Sequence, residues 1–123
     1  DAIFSEALTA TVNGNNAQRV ANIIKNHTQI KYARTTIPTH NFDIQHNLYT
    51  FNPTIHHDDF DKLFELGRQF VDLKTDTPKL FYIWGHSFEF DILNDWDRFE
   101  DFLKLISNRN DIYYGTNREV FEI

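Results

Sequence analysis

The five residues Leu80-Phe81-Tyr82-Ile83-Trp84 form an unbroken apolar and aromatic run that stops at Gly85. A strand with one face in water alternates apolar and polar residues; a run without alternation needs cover on both faces, as in a parallel sheet flanked by helices. The run therefore predicts a strand inside a parallel sheet. Directly after Gly85 come His86, Ser87, Glu89 and Asp91, so ionisable groups gather where the chain leaves the strand's C-terminal end. In barrels and open α/β sheets that rim carries ligands and catalytic groups, because side chains there face a crevice that connecting loops close.

The text on either side of this run alternates in the same sense. Ala7–Val12 predicts a short strand, ended by the turn signals Asn13-Gly14-Asn15-Asn16. Asn15 or Asn16 caps a helix whose inward face is Val20, Ile23 and Ile24, with His27 at its margin. Ile30–Arg34 is the next strand. From Thr35 to His57 no period holds, and Pro38, Asn41, Asn47 and Pro53 interrupt the chain. A loop of that length is usually functional unless it hides short edge strands, for which Phe42–Ile44 and Leu48–Phe51 are candidates. A second helix, capped by Asp58 or Asp59, carries Phe60, Leu63, Phe64, Phe70 and Val71 toward Lys74. A third starts at Asn94 or Asp95 with Trp96, Phe99, Phe102, Leu103 and Ile106 on one face. Ile112–Tyr114 reads as a last strand and Arg118–Ile123 as a short amphipathic tail. The expected fold class is α/β, with mostly parallel strands alternating with helices through right-handed crossovers. Four principal strands are too few to close an eight-stranded barrel, so the chain is a small open α/β domain or part of a larger one.

Composition narrows the partners. The 123 residues, 41% of them hydrophobic, suit a single domain with a core. The net charge of −6 is concentrated in the second half, where Asp58 to Asp101 holds twelve carboxylates against five Lys or Arg. A nucleic-acid partner requires the opposite field and is not expected. No segment has the apolar length of a membrane span, and no signal peptide is expected. With no cysteine, disulfides, thiolate zinc sites and cysteine nucleophiles are excluded, and the compartment stays open.

The block Phe81-Tyr82-Ile83-Trp84-Gly85-His86-Ser87-Phe88-Glu89-Phe90-Asp91 resembles the late motif of one branch of the polysaccharide deacetylases, the NodB-homology group or carbohydrate esterase family four. Tyr32-Ala33-Arg34-Thr35, Thr39-His40-Asn41-Phe42-Asp43, Asn52-Pro53-Thr54 with His56-His57, Trp96, and Ile112-Tyr113-Tyr114-Gly115-Thr116-Asn117 extend the likeness over most of the chain. The resemblance implies a partial (β/α) barrel, the C-terminal half of a catalytic domain that removes acetyl groups from N-acetylated (or O-acetylated) carbohydrate with a divalent metal, commonly zinc. It implies that His86 occupies the position of the histidine that protonates the departing amine, opposite a metal-held water. Glu89 and Asp91 are the local carboxylates that could raise its pKa. Two motifs of that family, Thr-Phe-Asp-Asp-Gly and His-Ser/Thr-x-x-His, hold the metal and supply the base; neither occurs here. The groove block of the family survives at most as Thr11-Val12-Asn13-Gly14-Asn15. The metal is therefore expected from a complementary N-terminal half, with none bound by this chain alone. The exposed strand edges of half a barrel predict self-association or association with that half. The alternative is a non-catalytic α/β scaffold or interaction domain that keeps the family's shape.

Each candidate residue has a plainer reading beside the functional one. His86 is the catalytic candidate, yet a histidine after glycine can simply bond loop backbone. Arg34, at its strand's end, either orients a catalytic group or forms a structural ion pair. Trp84, Asn41 and Phe42 are the candidate carbohydrate contacts, although Trp84 sits in the strand run and Asn and Asp are ordinary turn residues. Ser87 beside His86 is not a hydrolase dyad, because neighbouring side chains diverge and no Gly-x-Ser-x-Gly elbow is present. His56-His57-Asp58-Asp59 offers zinc-ligand chemistry. In an extended segment, however, adjacent residues point to opposite faces, and the two aspartates are accounted for as helix caps, so no metal ligand is assigned within this chain.

Overall fold

The computed structural model describes residues 9–11 and 17–122. In chain order its elements are β1 (Thr9–Thr11), α1 (Ala17–His27), β2 (Tyr32–Arg34), β3 (Ile55–His56), α2 (Phe60–Val71), β4 (Ile83–Trp84), α3 (Phe88–Leu93), α4 (Trp96–Ile106) and α5 (Asn117–Phe121). Contacts gather them into two compact units, one drawn from residues up to Ile37, Gln45–Asn52 and Tyr113 onward, the other from Pro38–Ile44 and Pro53–Ile112.

In the first unit β1 runs parallel to β2, with Ala10 opposite Ala33. The segment Leu48–Phe51, a candidate edge strand by sequence, follows β2 on its other side. Ala33 N–H donates to Leu48 O at 2.8 Å and Phe51 N–H to Ala33 O at 3.0 Å, with a single parallel bridge between Arg34 and Phe51. Helix α1 packs by its small residues. Ala21 and Ile24 are buried against Ala33, with Ala17 beside them, a spacing of four and three residues that forms one stripe. The inward face expected from Val20, Ile23 and Ile24 is thus rotated: Ile24 is buried, while Val20, Ile23 and His27 face solvent. Alanine on alanine lets helix and strand approach closely, which the larger β-branched residues would prevent. The expected caps Asn15 and Asn16 lie outside the described residues, as do Ala7, Leu8 and Val12 of the first strand and all but Thr11 of the groove block.

Helix α5 opens with a reciprocal cap: Glu119 N–H donates to Thr116 Oγ1, and the Glu119 carboxylate accepts from the Thr116 N–H. Its Phe121 ring lies 5.1 Å from Tyr32 and 5.2 Å from Phe51, so the end of the chain closes over β2. Lys31 Nζ reaches Glu122 Oε1 at 3.0 Å. That ammonium, followed by the Tyr32 hydroxyl, holds the Glu122 carboxyl below its ordinary value of 4.5, while burial and Glu122 push the Tyr32 phenol up to about 12. A carboxyl with a depressed folded pKa stabilises the fold above its unfolded value and loses that contribution as pH falls through the folded one. The amide protection factor at Phe121, exchange being corrected for its intrinsic pH dependence, is therefore expected to fall modestly on acidification below pH 4.5, modestly because the ion pair is exposed. Glu122→Gln should remove that acid-dependent part, and identical pH profiles for the two proteins would refute the assignment.

In the second unit β3 and β4 pair in parallel, Ile55 opposite Ile83 and His56 opposite Trp84. The run Leu80–Trp84 is extended, but only its last two residues join a ladder. Before them, Thr54 substitutes for a strand: its N–H donates to Tyr82 O at 2.8 Å and its Oγ1 accepts from Tyr82 N–H at 3.0 Å. Pro53, which has no N–H, stops the ladder there. Leu80 N–H is held by Phe42 O at 2.8 Å, so the Phe42–Ile44 segment anchors the run without being a strand. Tyr82 is buried while Leu80, Phe81, Ile83 and Trp84 are half-buried, and the expectation of a strand covered along its length on both faces is not met.

Phenylalanine dominates the core of this unit. Ile55, Phe60, Leu63, Leu66, Phe90 and Phe102 are buried, ringed by Phe42, Phe64, Phe81, Ile83, Phe99 and Ile106. Helices α2 and α4 meet where Gly67 makes room for Phe102; a Cβ on Gly67 would lie 2.8 Å from Phe102 Cε1. Helix α3 was not foreseen. It is six residues long and leaves Phe88, Ile92 and Leu93 exposed, so no inward stripe announces it, and Asn94 with φ 52° then breaks it from α4. Of the α4 face expected from sequence, Phe102 is fully buried, whereas Trp96 and Leu103 are about half exposed. Ile112–Tyr114 pairs with no strand among the described residues. No helix among them is long and apolar enough to cross a membrane.

Candidate functional site

Parallel pairing of β3 with β4 brings two strand ends side by side. His56 is the last residue of β3, and His57 begins the turn into α2. Opposite them β4 ends at Trp84 and passes through Gly85 into α3, whose first turn carries Glu89. The alternation of side chains that separates neighbours on a strand stops at His56, because the backbone turns there. The two imidazoles consequently stack, with centroids 4.5 Å apart and planes at 29°. This corrects the expectation that they point to opposite faces.

Glu89 faces both rings. Its Oε1 lies 3.2 Å from His56 Nε2 and 3.5 Å from His57 Nε2, and it accepts a hydrogen bond from His86 N–H at 3.0 Å. On the far side of His56, Nδ1 meets Asp58 Oδ1 at 2.6 Å. Of the two aspartates expected as caps, Asp59 occupies the N-cap position of α2, without a side-chain bond, whereas Asp58 is engaged with His56. The Asp58 N–H also lies 3.1 Å from His56 Nδ1. The two contacts at Nδ1 call for opposite tautomers, and the shorter one, to the carboxylate, is a hydrogen bond only where Nδ1 carries the proton.

His57 is held more tightly still. It is 3% exposed, its ring stacks on Phe90 at 4.1 Å, and neither ring nitrogen has a hydrogen-bond partner. Gly85 passes directly over it. A Cβ at Gly85 would overlap His57 Cδ2 outright and lie 2.5 Å from Nε2, so any side chain there would displace the imidazole.

The candidates named from sequence divide between the units. His86 is exposed, its ring 5.3 Å from Phe88 and 5.8 Å from Trp84. Neither carboxylate expected to serve its imidazole does so: Glu89 is turned to His56, His57 and the His86 backbone, and Asp91 accepts from Trp96 Nε1 at 2.7 Å. Trp84 is half-buried and meets His56 edge-on at 4.4 Å. Asn41 is used in turns, its Oδ1 accepting from Asp43 N–H and its carbonyl from Thr54 Oγ1. Phe42 packs on Phe70 and Phe81 at 5.0 and 5.4 Å. Arg34 belongs to the first unit, where Nη1 donates to Thr35 O at 3.2 Å. Trp84 and His86 are thus brought together, beside a His56, His57 and Glu89 group that the sequence offered only as adjacent histidines.

What the geometry defines is a parallel-strand rim bearing two imidazoles, a shared carboxylate and one exposed histidine. No family model, curated protein or solved structure matches the chain.

Proposed function

We propose that this chain contributes the general-acid side of a metal-dependent carbohydrate deacetylase, with N-acetylated carbohydrate as the substrate. The observation that carries the reading is the placement of His86: an exposed imidazole one residue beyond the glycine that ends β4, on a turn fixed by the Glu89 carboxylate bonding its backbone N–H. A hydrolysed amide must release an amine, and an amine leaves only when protonated. Histidine is the side chain most often used to deliver such a proton. The divalent ion of such an enzyme, when bound, polarises the attacking water. Trp84, next to His86, offers an aromatic edge for a sugar ring.

The partner in this reading is a complementary portion carrying the carboxylate base, or a second copy of the chain. Phe88, Ile92, Leu93, Trp96 and Leu103 on α3 and α4 leave an apolar surface for it. Sedimentation of the protein is expected to depend on concentration; a monomer at every concentration would remove this part of the proposal.

Acetate release from an N-acetylglucosamine oligomer tests the chemistry. In the zinc-loaded complete enzyme, His86→Ala is expected to lower kcat by about 100- to 10,000-fold with KM little changed. Unaltered acetate release from that variant would end the assignment of His86.

A further inference from the structure

Both nitrogens of the buried His57 ring lack hydrogen-bond partners, an arrangement that native proteins avoid because each such group forfeits its hydration. The atom nearest Nε2 in charge terms is Glu89 Oε1, at 3.5 Å, and the same oxygen stands 3.2 Å from His56 Nε2. With its proton on Nδ1, against Asp58, the His56 ring presents an Nε2 lone pair toward a carboxylate oxygen. Two imidazole nitrogens and a carboxylate oxygen at 3.2 and 3.5 Å repel one another where both nitrogens present lone pairs, unless a proton or a metal cation lies between them.

A zinc ion supplies that charge at the right scale. Bonds of about 2.0–2.2 Å in a tetrahedral site space the ligand atoms roughly 3.3 Å apart, and the two Glu89 separations bracket that figure. The ligand atoms of all three residues fall within 4.8 Å of one another, so closure needs only the two stacked rings to tilt together. The surroundings match those of a built site. A carboxylate on the non-ligating nitrogen fixes tautomer and orientation of a metal-bound histidine, and Asp58 holds that position on His56. Phe90 and Gly85 confine His57. On the open side the His56 and Glu89 side chains are 19% and 22% exposed, which admits solvent to a fourth coordination position.

We propose that His56, His57 and Glu89 form a binding site for a zinc-class divalent cation, oriented by Asp58 and completed by an exchangeable water. The site stands on its own side chains and does not depend on the deacetylase reading.

The test is a titration of the metal-free protein with Co²⁺, followed by displacement with Zn²⁺. One ion per chain should bind, with the visible absorption of four-coordinate cobalt, and zinc should quench that absorption. His56→Ala and Glu89→Gln should each abolish the spectrum. Asp58→Asn, a change at an exposed group outside the core, should weaken zinc affinity by about 10- to 100-fold while the thermal unfolding of the metal-free protein is unchanged. His46→Gln, remote from the trio in sequence and exposed, should leave binding intact. Absence of saturable binding would overturn the site. So would binding that survives His56→Ala and Glu89→Gln, which would belong to other surface histidines. Because the readout is spectroscopic, loss of deacetylase activity in His86→Ala and loss of cobalt binding in Glu89→Gln are separable results.

Discussion

Gly85→Ala is expected to destabilise the protein by about 3 kcal/mol, at the upper end of what overpacking a filled interior costs. The added methyl would occupy the place of the His57 ring. Moving the ring clear of the methyl would break its stacking on Phe90 and on His56, a far larger displacement than a tilt of the stacked pair. Denaturant unfolding of the single variant measures the loss. A double-mutant cycle shows its origin: in a His57→Ala background the same substitution should cost clearly less, since the obstructing atoms are gone and only the strain of a side chain at that φ is left. If the full penalty persisted there, it would come from the backbone at Gly85, where φ is 158°, and the overlap argument would fail. The single variant should also lose cobalt binding, because His57 is a proposed ligand.

Phe102→Ala is expected to be at least as damaging, by about 3–5 kcal/mol. Phe102 is wholly buried, with Phe64 edge-on at 5.7 Å and Phe99 and Phe81 at 6.0 and 6.2 Å. Its edge fills the gap that Gly67 leaves between α2 and α4, so truncation opens a cavity at the junction of two helices. A whole domain is stable by only about 5–15 kcal/mol, so this one change removes a large part of the total. Phe102→Leu, which keeps most of the volume, should lose clearly less. A loss below about 1 kcal/mol for Phe102→Ala, read from the same unfolding curves, would mean that α2 and α4 do not pack as described. Zinc affinity in the folded fraction should be little affected by Phe102→Leu, since none of the three proposed ligands touches that ring.

The helices were legible to different degrees, for a physical reason visible in α1, α2 and α3. In α2 the expected Phe60 and Leu63 are buried and Phe64, Phe70 and Val71 half-buried, so its pattern is close to its packing, with Leu66, outside the expected face, completing the buried stripe. In α1 the spacing was right and the face wrong, because closeness of approach favoured alanines over larger apolar residues. Helix α3 turns only Phe90 inward and leaves Phe88, Ile92 and Leu93 outside, so it gave no periodic signal. Strands were harder: β3 is two residues long, and Thr54 completes its work with a side-chain oxygen that no alternation of hydropathy records.

From its residue order alone this chain declared that an apolar strand ends at Gly85, that ionisable groups follow it at once, that aromatic helices supply the core, that cysteine is absent and that the net charge is −6. These are properties of local pattern and composition, which need no partner to be read. Tertiary structure alone decided that His56 and His57 stack instead of diverging, that Asp58 attends an imidazole instead of a helix end, and that Glu89, thirty-odd residues along the chain, closes on both rings. Those outcomes depend on where one strand stops beside another. The register of Ile55 with Ile83 sets that point, through contacts that no short window of sequence contains.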